Sequence, residues 1–285
     1  MIKNDIFQRF MLADLDIRGE LLRLGSSYQD ATKTRDYPPA IKKLLGQTIA
    51  ASLLLTGTLK FSGRLSIHAR GEGPLQLLMA EATDQRKFRA IANWSDTFEE
   101  NASLNDLLGN AQLAITIDPE KGARYQGIVP LERDTLSDCI AHYFELSEQL
   151  GTFLLLGADD KGAYGLMLQK MPGNVSVEDQ DGWNRIIQLA KTLSIDELAS
   201  NDNETILFRL FHEEKLLPYA LEPVEFECSC SKERTAVSIK TLGKDEALEI
   251  LESEAAISVD CQFCGEHYEF DREGINQIFN LSAPH

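Results

Sequence analysis

Four of the five cysteines in this 285-residue chain fall into one pattern near the C-terminus: Cys228-Ser229-Cys230, thirty intervening residues, then Cys261-Gln262-Phe263-Cys264-Gly265. Four thiolates in two close pairs suit a tetrahedral zinc ion, which favours sulfur and keeps no open position in a structural site. Residues 225–285 hold no further cysteine, so the clustering is itself a signal. The two halves differ physically. Gly265 tolerates positive φ, which lets the chain turn back after Cys264 and aim backbone N–H groups at sulfur. The Cys228-x-Cys230 half is tighter than the usual CxxC. If residues 224–227 are extended, side chains two apart share a face, and both sulfurs reach one ion. Without the metal those two sulfurs are close enough to react with each other, in a ring that holds a disulfide off its preferred geometry. Such a bond is labile and of the kind used in regulation. Spacing alone leaves a static zinc staple open as well.

Other candidate groups carry less chemistry. Cys139 sits on an apolar stripe and reads as a small buried hydrophobe. His267 is near Cys264, but with four thiolates available it is expected to pack beside the site rather than ligate. His68, His142, His212 and His285 have no ligand spacing, and the acidic pairs Glu99-Glu100, Asp159-Asp160 and Glu213-Glu214 read as solvated faces. A thiol–disulfide oxidoreductase built on Cys261-x-x-Cys264 would need a helix starting at the motif to lower the thiol pKa. Here Gly265 and a strand-like run follow instead. Four sulfur ligands leave no position for substrate or water, which argues against a metalloenzyme, and no GxxxxGK[ST] phosphate loop is present.

The chain carries a net charge of −17, unevenly spread: residues 1–170 have 22 acids and 19 bases, residues 171–285 have 23 acids and 9 bases. An acidic field around the cysteines repels phosphate, so a nucleic-acid-binding or constitutive zinc-ribbon adaptor module is the weaker alternative. No signal peptide or membrane span is expected, because charges interrupt the first ten residues and the apolar run at 49–59 is short and broken by Ser52, Thr56 and Gly57. A cytoplasmic location follows, where the thiols rest reduced.

The elements that must position the cysteines give an α+β reading: an N-terminal mixed sheet-and-helix domain (1–173), a helical linker (174–226) and a small C-terminal zinc-binding α+β domain (227–285). Residues 7–12 and 18–24 read as extended. Pro38-Pro39 opens a helix whose Ile41, Leu44, Leu45, Thr48, Ile49, Ser52 and Leu53 give one apolar face. Strand-like runs follow at 65–70, 75–80, 88–93, 113–117 and 124–129, which predicts a largely antiparallel sheet with helices packed on it. A further helix is expected at 136–149. Met171-Pro172-Gly173-Asn174 marks the domain boundary. Beyond it, 171–225 is acidic and patterned for short helices: one stripe of Trp183, Ile186, Ile187, Ala190 and Leu193, a capping box at Ser194 and Glu197, and a second stripe of Ile206, Leu207, Leu210 and Phe211. Helices this short are marginal alone and must dock to persist. After Cys230 the pattern is helix (232–240), helix (245–253) and a strand pair (257–260, 267–270). About sixty residues form little core, so a metal is expected to supply much of the folding free energy, on the order of 10–16 kcal/mol in zinc-finger peptides.

With these residues in view the sequence resembles, over its full length, the heat-shock protein 33 family of redox-regulated bacterial holdase chaperones. The resemblance rests first on Cys228-Ser229-Cys230-Ser231-Lys232-Glu233-Arg234 and Cys261-x-x-Cys264-Gly265-x-His267-Tyr268-x-Phe270. Further segments are Arg18-Gly19-Glu20-Leu21, Thr58-Leu59-Lys60-Phe61, Gly71-Glu72-Gly73-Pro74-Leu75, Tyr125-Gln126-Gly127-Ile128-Val129, Tyr143-Phe144-x-x-Ser147-Glu148-Gln149 and Phe208-Arg209-Leu210-Phe211-His212-Glu213-Glu214. Gly151 departs from the pattern, where proline is more usual. The resemblance implies a non-enzymatic, ATP-independent stress-response chaperone with residues 1–173 as its core. One Zn²⁺ is held in the reduced state by Cys228, Cys230, Cys261 and Cys264. Oxidation to disulfides Cys228–Cys230 and Cys261–Cys264 releases the zinc, unfolds the C-terminal module and frees the linker. Trp183, Ile186, Ile187, Leu207, Leu210 and Phe211 then become candidates to contact unfolded clients. The resemblance also implies a homodimer when oxidised.

Overall fold

A computed structural model describes residues 5–58, 62–95, 98–99, 102–171 and 181–280, the last without its side chain. Residues 59–61 of one resemblance segment, most of the expected boundary turn (172–174), Glu100 and His285 lie outside the described residues. The chain divides into two compact units, Met1–Glu227 and Cys228–His285.

In the first unit the elements run β1 (Ile6–Leu12), β2 (Ile17–Leu24), α1 (Ser26–Thr32), α2 (Pro39–Gly57), β3 (Gly63–Arg70), β4 (Leu75–Thr83), β5 (Lys87–Trp94), α3 (Leu104–Leu108), β6 (Gln112–Pro119), β7 (Tyr125–Val129), α4 (Leu136–Ser147), β8 (Thr152–Ala158), β9 (Ala163–Lys170), α5 (Gly182–Ala190), α6 (Ile195–Ser200), α7 (Asn203–Phe211), β10 (Leu216–Pro223) and β11 (Glu225–Phe226). The expected single sheet is two sheets, ordered β10-β1-β2-β9-β8 and β11-β5-β4-β3-β6-β7. Every pairing is antiparallel except β11 with β5.

Helix α2 lies between them and is buried on nearly all sides rather than on one face. Ala50, Ala51, Leu54 and Leu55 are as deeply buried as Ile41, Leu45 and Ile49. It touches β4 and β5 of one sheet and β8 and β9 of the other, and a helix apolar all round is stable only in such a place. Its buried Thr48, Ser52 and Thr56 hydroxyls return to helix carbonyls at 2.6–2.8 Å, so they bring no unpaired group into the core.

The outer face of the five-stranded sheet carries the second cluster. Phe10, Leu12, Ile17, Leu21, Leu166 and Leu168 from the strands meet Ile186, Ala190, Leu198, Ile206, Leu207, Leu210 and Phe211 from α5, α6 and α7. The expected capping box at α6 is present: Glu197 N–H donates to Ser194 Oγ at 3.2 Å and Ser194 N–H to Glu197 Oε2 at 3.0 Å. The segment expected to be helical to its end is not. Residues 216–223 form β10 on the edge beside β1. Pro218 and Pro223 fit an edge strand, where missing N–H groups cost no ladder bond.

The second unit contains α8 (Lys232–Leu242), α9 (Lys244–Ser253), β12 (Ile257–Asp260), β13 (His267–Phe270) and α10 (Arg272–Asn280). Helix α10 was not expected; Gly274 N–H donates to Asp271 Oδ1 at 2.8 Å at its start. The core is small: Ile239, Ala247, Leu251, Ile257, Phe270, Ile275 and Ile278.

Candidate metal centre

The sulfurs of Cys228, Cys230, Cys261 and Cys264 all lie within 4.8 Å of one another, each half-buried. Two sulfur–sulfur contacts cross between the halves of the motif: Cys228 to Cys261 at 3.6 Å and Cys230 to Cys264 at 3.3 Å. A tetrahedral site with metal–sulfur bonds of about 2.3 Å has sulfur–sulfur edges of about 3.8 Å, so shifts of about 1 Å or less bring the four onto a single ion. The residues present therefore fit a metal ion. Among the described residues no second cluster of three or more His, Cys, Asp or Glu ligands occurs.

The backbone shapes this cluster. Gly265 has φ 75°, and its N–H closes a turn onto the Cys261 carbonyl at 2.8 Å while Cys261 N–H donates to the Glu266 carbonyl at 2.8 Å. The turn joins β12 to β13, whose register pairs Ile257 with Phe270 and Asp260 with His267. At the other half, Ser231 caps α8 by accepting from Arg234 N–H at 3.3 Å, and the Arg234 guanidinium donates to the Ser229 carbonyl at 2.7 Å. This pins the residue between Cys228 and Cys230.

Without an ion the four thiols compete. Burial pushes Cys228 up to about 11, with the Cys230 and Cys261 sulfurs adding to the rise, and burial with its neighbouring sulfurs also raises Cys264. Burial also raises Cys261, but the N–H groups of Cys264 and Phe263 and the sulfurs of Cys228 and Cys264 together outweigh it and the net shift is downward. A divalent ion reverses this competition by favouring the thiolate at every ligand.

His267 does not join the sulfurs. Its Nδ1 meets Asp260 Oδ1 at 2.6 Å and its Nε2 meets Glu269 Oε1 at 3.3 Å on the exposed side of the hairpin, and these bonds raise its pKa. Cys139 is buried beside α4's other core residues, its pKa raised by burial. Cys261-x-x-Cys264 stands in a turn between strands, without the helix N-terminus an oxidoreductase motif needs. One residue named in the sequence reading only within a resemblance segment, with no role given, belongs to the site: Tyr268, whose hydroxyl donates to Cys230 Sγ at 3.1 Å.

The apolar stripes of the preceding segment are placed on the larger unit. Ile186, Leu207, Leu210 and Phe211 are buried on the sheet, and Trp183 and Ile187 pack partly buried against the same cluster. A Cβ at Gly157 would lie 2.4 Å from Ile195 Cδ1, so β8 presents bare backbone to α6. Polar contacts reinforce the docking. The buried Arg23 guanidinium donates to the carbonyls of Leu198 and Asn201, and to that of Ala199 at 3.0 Å. Asn203 Nδ2 donates to Gln8 Oε1 at 3.1 Å. Just before Gly151, Leu150 N–H donates to the Phe144 carbonyl at 3.0 Å. No helix among the described residues is long and apolar enough to cross a membrane.

Fold and site together define a two-unit α+β protein whose smaller unit gathers four thiols for one metal ion. Residues 5–271 match the model of the family described as Hsp33 protein. The 33 kDa chaperonin of Hahella chejuensis is 49% identical over 289 residues, covering 100% of both chains. That of Pseudomonas fluorescens is 44% identical over 281 residues, covering 97% of this chain and 94% of its own. The crystal structure of the 33 kDa chaperonin (heat shock protein 33 homolog) from Thermotoga maritima shares the fold, with a TM-score of 0.85 at 21% identity over 98% of this chain and 99% of that one. The chain belongs to the Hsp33 family of chaperones.

Proposed function

We propose that this chain is a redox-regulated, ATP-independent holdase that binds unfolding proteins under oxidative stress in the cytoplasm. The observation that carries the reading is the gathering of four sulfurs within 4.8 Å on a unit whose apolar core has, among the described residues, seven buried side chains. In the reduced state Cys228, Cys230, Cys261 and Cys264 hold one Zn²⁺ as thiolates. The ion supplies cross-linking of the two halves of the unit, and soft sulfur ligands in a closed set of four suit it.

Oxidation takes two electrons from each pair of thiolates. With hypochlorous acid, two thiolates become one disulfide while the oxidant leaves as chloride and hydroxide. The pairs are Cys228–Cys230 and Cys261–Cys264. Disulfide sulfurs no longer carry the charge that ligates the ion, so the smaller unit loses its main source of stability and unfolds. Helices α5, α6 and α7, each of nine residues or fewer, then undock from the sheet. Trp183, Ile186, Ile187, Leu207, Leu210 and Phe211 become contacts for the apolar segments of unfolding clients, and the oxidised chain forms a homodimer.

The test follows zinc release together with suppression of a denatured client's aggregation, before and after hypochlorous acid and after reversal by thiols with zinc. Coupled and reversible zinc loss and holdase gain are expected. Zinc that stays bound, or leaves with no gain of activity, overturns the switch in favour of a static zinc module. Peptide mapping of the oxidised chain checks the pairing, since sulfur contacts at 3.6 and 3.3 Å cross between the two halves.

A further inference from the structure

Backbone N–H groups of the cysteine motif lie near three of the sulfurs: that of Cys230 near Cys228, those of Phe263 and Cys264 near Cys261, and that of Glu266 near Cys264. They come with the local turn of the chain. Cys230 Sγ has a partner from outside the motif: the hydroxyl of Tyr268, 38 positions away in sequence on β13, donates to it at 3.1 Å.

The placement follows from strand register. Side chains of β13 alternate, so His267 and Glu269 bond each other on the exposed side while Tyr268 turns to the sulfurs. Tyr268 stands opposite Val259, and its ring is packed half-buried on the core that also holds Ile257 and Phe270. The hydroxyl is thus aimed by packing, and its reach is set by the hairpin rather than by the cysteine motif.

Four thiolates around a divalent ion carry a net charge of −2, and each donated hydrogen bond withdraws density from the sulfur that accepts it. That weakens the sulfur as a nucleophile toward an oxidant and steadies it as a ligand. We infer that Tyr268 is a positioning residue that holds Cys230 in ligating geometry and sets how fast the centre yields to peroxide. The inference rests on the zinc-thiolate reading above. In the step concerned a thiolate sulfur takes one oxygen as the O–O bond of hydrogen peroxide breaks, giving a sulfenic acid and hydroxide. A second thiolate attacks that sulfur, the S–S bond forms and another hydroxide leaves. Two electrons have passed from two sulfurs to the peroxide.

Tyr268→Phe removes the hydroxyl and keeps the ring, so the full chain should fold as before by circular dichroism. Zinc affinity in a chelator competition should fall by about 10-fold, and peroxide-driven zinc release should accelerate by a similar factor. Cadmium NMR of the metal-exchanged chain should shift, a signature that a purely structural role for the ring would not give. Fluorotyrosine incorporated at 268, a stronger donor of nearly the same shape, should slow release, and this arm stands even if the phenylalanine variant folds poorly. Unchanged affinity, cadmium shift and release rate in both variants, with wild type binding and releasing zinc normally, overturns the role of Tyr268. A wild-type chain that binds no zinc overturns the reading beneath it.

Discussion

The two units of the molecule solve the same problem with different means. Among the described residues, the larger places 41 buried residues in the core around α2 and 16 more where α5, α6 and α7 meet the five-stranded sheet, while the smaller, of 58 residues, buries seven. A unit of that size rarely obtains more than about 3–5 kcal/mol from its apolar core alone, and on the proposed zinc reading the thiol centre supplies what packing does not. The larger unit draws its stability from the burial of side chains. On the proposed function, a switch is confined to one part of the chain by leaving that part short of core.

The most drastic way to break this comparison is Cys264→Ser. It should abolish tight zinc binding and remove a stabilisation on the order of 10 kcal/mol from the smaller unit. Limited proteolysis and hydrogen exchange should then show residues 228–280 unprotected while those of the two sheets stay protected. Loss of protection throughout the chain would contradict the independence of the units. Next in size, Leu54→Ala, within α2, should cost about 2–5 kcal/mol of the larger unit's stability in chemical denaturation, with zinc affinity unchanged.

Arg23→Met sharpens the comparison within the larger unit. It strips three carbonyls at the end of α6 of their donor and should weaken the docking of α5–α7 by about 2–4 kcal/mol. Hydrogen exchange should quicken over residues 182–211, and the oxidant dose needed for holdase activity should fall.

Glu20 offers a smaller effect read through pH. It is 2% exposed with one carboxylate oxygen unpartnered, and burial raises its pKa to about 8 despite nearby Arg18 and Arg86. A carboxyl raised in the folded state is stabilising while protonated, so its contribution is complete below the ordinary value of 4.5 and lost as pH rises through about 8. Glu20→Gln should flatten that decline and raise stability at alkaline pH by on the order of 1–3 kcal/mol. An unchanged pH profile of the denaturation midpoint would place the loss elsewhere.

The site was more legible in the sequence than the architecture. Cysteine is scarce and its spacing is chemically specific, so the clustering of four sulfurs and the turn at Gly265 could be read directly. Tyr268 could not, because its bond to Cys230 depends on a hairpin register that spacing does not encode. Strands β1 to β7 declared themselves by alternation and turn residues. Strands β8 and β9 did not, because both of their faces are covered and Thr152–Ala158 and Ala163–Lys170 run almost continuously apolar. Helix α2 was placed correctly, but its full burial is a tertiary fact: only the second sheet explains why Ala50, Ala51, Leu54 and Leu55 are also inside. Strand β10 was hidden by two prolines and by the helices before it.

The eleven residues 216–226 end one residue before Cys228's neighbour Glu227, and they close two margins at once. β10 completes the hydrogen bonds of β1, and β11 those of β5, on different sheets. Glu222 secures the first by pairing with Arg9 at 2.9 Å and with Arg86 at 3.0 Å, and Glu227 secures the second by pairing with Lys87. A single peeling event would therefore bare two rows of backbone donors and acceptors together, each a template for any extended chain that arrives.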